Sequence, residues 1–135
     1  MAVQFLFNWQ SAPSNNINLA LDEFHSALET NRADFKFGEA LVMGVVAKLT
    51  DIDAQIARHS TNWQFNRIGA VNLAIMRVAT HEMLHRMDIP PFVSINEALD
   101  ICKVMSDDGS RKYINGVLDG ILRGLPRDGR TGLPK

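Results

Sequence analysis

Positive charge is absent from the start of this chain: residues 1 to 31 contain no Lys or Arg. Met1 to Gln10 therefore lacks the basic opening of a secretory signal, and it has no cleavage site either. No apolar run approaches the roughly 18 residues of a membrane span, so a membrane protein is not expected and the cytoplasm is the default compartment. Cys102 is the only cysteine. A lone thiol excludes an internal disulfide and a multi-cysteine zinc site. Alternating strand patterns are missing too, and with them any glycine-rich phosphate loop that would follow a strand. What is present is ordinary for a soluble globular domain, 46% apolar and 21% charged. A length of 135 residues suffices for one compact core. The net charge of −1 hides an asymmetry, since residues 111 to 135 carry six cations against two acids, which points to a local anionic contact.

Proline is scarce, and its one doublet, Pro90-Pro91, organises the chain. Each proline pushes the residue before it out of the α region, so a helix must end there. Ser94 and Glu97 then have capping-box spacing, in which the serine oxygen accepts from the Glu97 N–H and the glutamate side chain reaches back to the serine N–H. Ile95, Ala98, Leu99, Cys102 and Met105 form one apolar stripe behind that cap.

The other segments are also helical. Ala2 to Gln10 is an apolar first helix, Ser11 to Asn16 a loop, and Ile17 to Thr30 an amphipathic second helix on Leu21, Phe24 and Leu28. Phe35 to His59 sustains a stripe from Phe37 to Ile56, with a bend allowed at Thr50-Asp51. Ser60 to Asn66 is a polar turn plugged by Trp63 and Phe65. Ile68 to Arg86 is apolar nearly all round, which places it at the centre. Arg77 inside it needs a partner, and Glu97 and Asp119 are the candidates. Ser110 is read as the cap of a last helix, Arg111 to Arg123, where Gly116, Gly120 and Gly124 allow a close crossing. Pro126 to Lys135 is expected to be a flexible basic tail. The fold class is all-α: a compact bundle of about six to seven helices in two halves, forming a single domain over residues 1–125.

Three patterns carry possible chemistry. His81-Glu-Met-Leu-His85 matches H-E-x-x-H, which on a helix places two imidazoles on one face with a glutamate as base. A catalytic zinc wants a third ligand and only Asp88 or Glu97 offers one, so the expectation is no metal, with a zinc hydrolase the third reading. Cys102 sits on a buried stripe, where a thiol is packing. Arg111-Lys112-Tyr113, two cations beside one exposed aromatic at a helix start offering free N–H groups, has the means to hold a phosphate and stack a base, or else to be a solvated turn with Tyr113 half packed.

Read together, Ala2-Val-Gln4 with Trp9-Gln10, Ile75-Met-Arg77-Val-Ala79 with Glu82, Pro90 and Ile95-Asn-Glu-Ala-Leu99 with Lys103, and Lys112-Tyr-Ile-Asn-Gly-Val-Leu-Asp119 resemble the NusB family of bacterial antitermination factors. The resemblance covers nearly the whole chain. It implies two three-helix-type halves meeting near the proline corner, no enzymatic activity and no cofactor. It also implies partners: NusE, the ribosomal protein that doubles as a transcription factor; boxA RNA of ribosomal RNA leaders; and the RNA polymerase antitermination complex. Lys112 and Tyr113, with Ser110 and Arg111 beside them, fall on the RNA-contacting motif. Phe7 and Asn72, usually tyrosine and an acid, fall on the NusE-facing surface, and self-association through that face stays open. Arg77, Glu82 and Asn115 fall on framework positions. Two departures stand out. The family tyrosine before Glu82 is His81, which is how the H-E-x-x-H string arises. The family's N-terminal arginine-rich segment is missing, so that either the true start lies upstream, or the chain was trimmed, or RNA binding is weakened toward a pure protein adaptor.

Overall fold

A computed structural model describes residues 1–28, 32–60 and 68–135. They form α1 (Ala2–Ser11), α2 (Ile17–Ala27), α3 (Arg32–Ala47), α4 (Leu49–His59), α5 (Ala70–His85), α6 (Pro91–Met105) and α7 (Asp108–Arg123). Among the described residues the only β pairing is one isolated bridge between Arg127 and Pro134. A helix that is apolar all round must be surrounded, and α5 is: every residue from Ala74 to Met83 is buried, under α1, α3, α4, α6 and α7. α5, which runs up to the proline corner, is thus the seam against which five other helices pack. Leu6, Val42, Val45, Ile52, Ile56, Ile114 and Leu118 are fully buried around its own Met76 and Met83, each contributing about 1.5–3 kcal/mol by leaving water. Phe5 meets Phe24 edge to face at 5.5 Å, which ties α2 to α1.

Two boundaries differ from the sequence reading. The long third segment breaks at Lys48, whose N–H bonds back to Gly44 and Val45 carbonyls before α4 begins at Leu49. At the corner, α6 starts at Pro91 with Pro90 as its N-cap, because a proline at the first helical position loses only an N–H that has no helical acceptor. Ser94 consequently lies one turn inside the helix, buried next to the Glu82 carboxyl, and forms no capping box. Of the three glycines, only Gly120 supports a close crossing: a Cβ there would come within 2.7 Å of the His59 ring on α4, whereas Gly116 faces open space. The Trp63 and Phe65 plug lies outside the described residues.

The expected flexible tail is folded. Arg127 is 2% exposed and its guanidinium donates to the carbonyls of Met83, Met87, Ile89 and Gly132 at 2.8–3.3 Å. Those acceptors include the open carbonyls at the end of α5 and in the link to α6. In return, Gly129 offers its carbonyl to the Phe92 N–H in the first turn of α6, at 2.8 Å. The tail thus staples both sides of the proline corner. It turns back through Asp128, whose carboxylate accepts from the Arg130 and Thr131 N–H groups, and through Gly132 at φ +74°, a conformation that favours glycine. Composition suggested disorder because a Gly/Pro/Arg stretch has few apolar anchors; one buried arginine replaces them.

Candidate nucleic-acid interface

The four residues read as RNA-contacting open α7, though the local geometry differs from the expectation. Asp107, not Ser110, is the N-cap: its carboxylate accepts from the Ser110 N–H at 2.7 Å, which holds that carboxyl below its ordinary pKa. The helix terminus is thus already occupied by a carboxylate, and an approaching anion would have to be gripped by side chains. Arg111 and Lys112 are exposed, and among the described residues no ion pair engages either. Tyr113 is half-buried against the core, with its hydroxyl hydrogen-bonded to Ser60 at the end of α4. It presents part of a ring, the half-packed arrangement that was one of the two readings of this turn.

Asn72 ties this turn to α5. Its Nδ2 donates to Ser110 Oγ at 2.8 Å, and its Oδ1 accepts from Ser106 Oγ at 2.7 Å. Expected to face a protein partner, Asn72 has both ends of its amide engaged within the molecule. Between it and Ile68, Gly69, Asp107, Ser110 and Tyr113 lies a cleft of about 210 Å³. Phe7, 37% exposed, is carried to the same end of the molecule: Gln10, one turn further along α1, donates to the Ala70 carbonyl at the start of α5 at 3.0 Å.

The remaining candidates sit elsewhere. Arg77 does not pair with Glu97 or Asp119. Its guanidinium donates twice to Asp53, at 2.9 and 2.8 Å, and once to Gln10 at 2.9 Å, while Asp119 pairs with Arg123. Geometry explains the choice: Asp53 stands on the inward stripe of α4, four residues after Leu49 and three before Ile56, facing α5. A carboxylate on an apolar stripe was the signal that would have found it. Glu97 is exposed on the rim of a larger, mostly apolar groove of about 840 Å³ beside Phe37, Val93 and Ile101.

The H-E-x-x-H string is used for packing. His81 is buried against Gly44, where no side chain would fit, its Nδ1 has no hydrogen-bond partner among the described residues, and burial beside His85 and Arg86 lowers its pKa to about 4. Glu82 is buried next to Ser94, and that burial raises its pKa. No group of three metal-ligating side chains occurs among the described residues. Cys102 is buried with its pKa raised by desolvation, and its thiol points at the Asp107 carbonyl, 3.9 Å away. No helix in the described residues is long and apolar enough to cross a membrane.

The NusB family model matches residues 1–123. The chain belongs to the NusB family. It is 38% identical over 128 residues to a transcription antitermination protein NusB from Trichlorobacter lovleyi, covering 95% of this chain and 89% of that one. Its identity to the NusB of Nitratidesulfovibrio vulgaris DP4 is 35% over 130 residues, covering 93% and 85%. The fold agrees, with a TM-score of 0.80 to a T. maritima NusB structure at 29% identity, covering 91% of this chain and 86% of that one. NusB proteins are transcription antitermination factors and not enzymes, so the polar groups of α5 need no catalytic account.

Proposed function

We propose that this NusB-family protein is an RNA-binding antitermination factor that pairs with NusE and binds boxA RNA of ribosomal RNA leaders, joining the antitermination complex on RNA polymerase in the cytoplasm. One observation carries the reading: Arg111 and Lys112 stand exposed and, among the described residues, without an ion pair, on a turn pinned by Asp107, Asn72 and the Tyr113–Ser60 contact, beside a cleft. Two cations held on a rigid support next to a partly open ring suit a single strand, whose phosphates need charge and whose bases need a face. In this reading the NusE contact, at Phe7 and the outer surface around Asn72, lies at the same end of the molecule as the RNA.

Titration of a labelled boxA oligonucleotide tests this. Lys112→Ala is expected to weaken binding about ten-fold and to flatten the dependence of log Kd on log salt by about 0.7 for each phosphate that is no longer neutralised. Added NusE is expected to tighten binding, and Phe7→Ala to abolish that gain. The adaptor reading draws on the Asp107 carboxylate at the α7 terminus, which repels phosphate. It predicts NusE binding with boxA affinity that Lys112→Ala leaves unchanged.

A further inference from the structure

We propose that Asn72 is a positioning residue for RNA: through a Ser106–Asn72–Ser110 clasp it holds the turn that presents Arg111 and Lys112. The inference rests on the RNA-binding reading above. One amide from α5 spans the whole connection between α6 and α7, since Ser106 is the C-cap of α6 and Ser110 lies in the first turn of α7. Its bonds to the two hydroxyls, at 2.7 and 2.8 Å, are well within hydrogen-bond range. Ser106 is anchored in turn by its own N–H, which donates to the Cys102 carbonyl at 2.8 Å.

Between the two serines, Asp107, Asp108 and Gly109 are exposed, so the described packing gives that stretch little to lean on. Ser110 is held twice, by Asp107 at its backbone N–H and by Asn72 at its hydroxyl. Arg111 and Lys112 follow it directly in the helix, so the direction of their side chains is set by where Ser110 sits. Both polar atoms of Asn72 already have partners, which favours action through the turn over direct base reading.

The test uses the whole protein, a single-stranded boxA oligonucleotide and a salt series. Asn72→Ala and Ser106→Ala are each expected to weaken RNA binding about three- to ten-fold, the range of one hydrogen bond. The double variant should be no weaker than Asn72→Ala alone, because both changes open the same clasp. Asn72→Ala should also flatten the salt dependence by part of the slope that Lys112→Ala removes, which a general loss of stability would not do. Ser106→Ala at parental affinity beside a weakened Asn72→Ala would make Asn72 a direct RNA contact and overturn the clasp. Both variants at parental affinity while Lys112→Ala is weakened would also overturn it, leaving the RNA reading intact. A parent protein that binds boxA no better than Lys112→Ala would instead remove the reading on which the clasp rests.

Discussion

Arg127 and Lys112 come from the same basic stretch of sequence and have opposite fates. Arg127 is driven into the corner between α5 and α6, where four carbonyls take up its donors. Lys112 stands in water on the opening turn of α7 without an ion pair among the described residues. A guanidinium has several donors in a fixed fork and can satisfy a cluster of carbonyls, whereas an ammonium on a flexible stem is strongly hydrated. Charge counted along a sequence therefore mixes cations that hold a fold together with cations available to a ligand. Only burial separates them.

The largest effect that sharpens this contrast is expected at Arg127. Arg127→Met removes the donors while keeping some bulk, leaving buried carbonyls without partners, and should cost about 3 kcal/mol in urea unfolding. RNA binding per folded molecule should be unchanged. If Arg127→Met lowers RNA affinity of the folded protein as strongly as Lys112→Ala, the division into staple and ligand-facing cation fails. Asp53→Ala is next. It strips Arg77 of a bidentate partner in a site where the arginine side chain is 9% exposed, and about 2 kcal/mol of stability should go; half-exposed Asp119 changed to Ala should move unfolding by less than about 0.5 kcal/mol. Lys112→Ala completes the series from the other side, with stability within about 0.5 kcal/mol of the parent and boxA binding about ten-fold weaker.

Much of the fold was legible because packing follows periodicity. The all-round apolar pattern of Ile68 to Arg86 placed α5 at the centre, and the proline doublet marked the α5–α6 corner. Errors arose where a polar group chose among partners that periodicity does not rank. Ser94 has capping-box spacing, yet Pro91 is itself a good first helical residue and pulled the helix start forward. Arg77 had three carboxylates to choose from, and the stripe position of Asp53 decided it. Ser110 looks like a cap, but Asp107, three residues earlier, reaches its N–H first. In the candidate site, Arg111 and Lys112 were visible as charge beside a helix start. The Asn72 clasp was not, because it joins side chains brought together only by three helices meeting.

The last effect concerns the other end of α5, where the contrast can be read by pH. His81 is buried against Gly44 beside His85 and Arg86, with a pKa near 4 against an ordinary 6.5. Between those values the unfolded chain holds more protons than the folded one, so stability is complete above the ordinary value and falls as the solution is acidified through the window. Glu82 works in the opposite sense: burial raises its pKa above 4.5, the folded protein takes up that proton first, and acidification toward 4.5 favours folding. The carboxyls of Asp88, Asp107 and Asp128 are held below their ordinary 3.8, so the stability they contribute is lost only in stronger acid, below this window. His81→Phe removes the first slope and leaves the second. Its urea midpoint should therefore hold level or rise between about pH 7 and pH 5, while that of the parent falls. Parallel profiles for the two proteins would mean that the buried imidazole does not set the acid response. The polar string on α5 would then owe its presence to something other than the packing seen here.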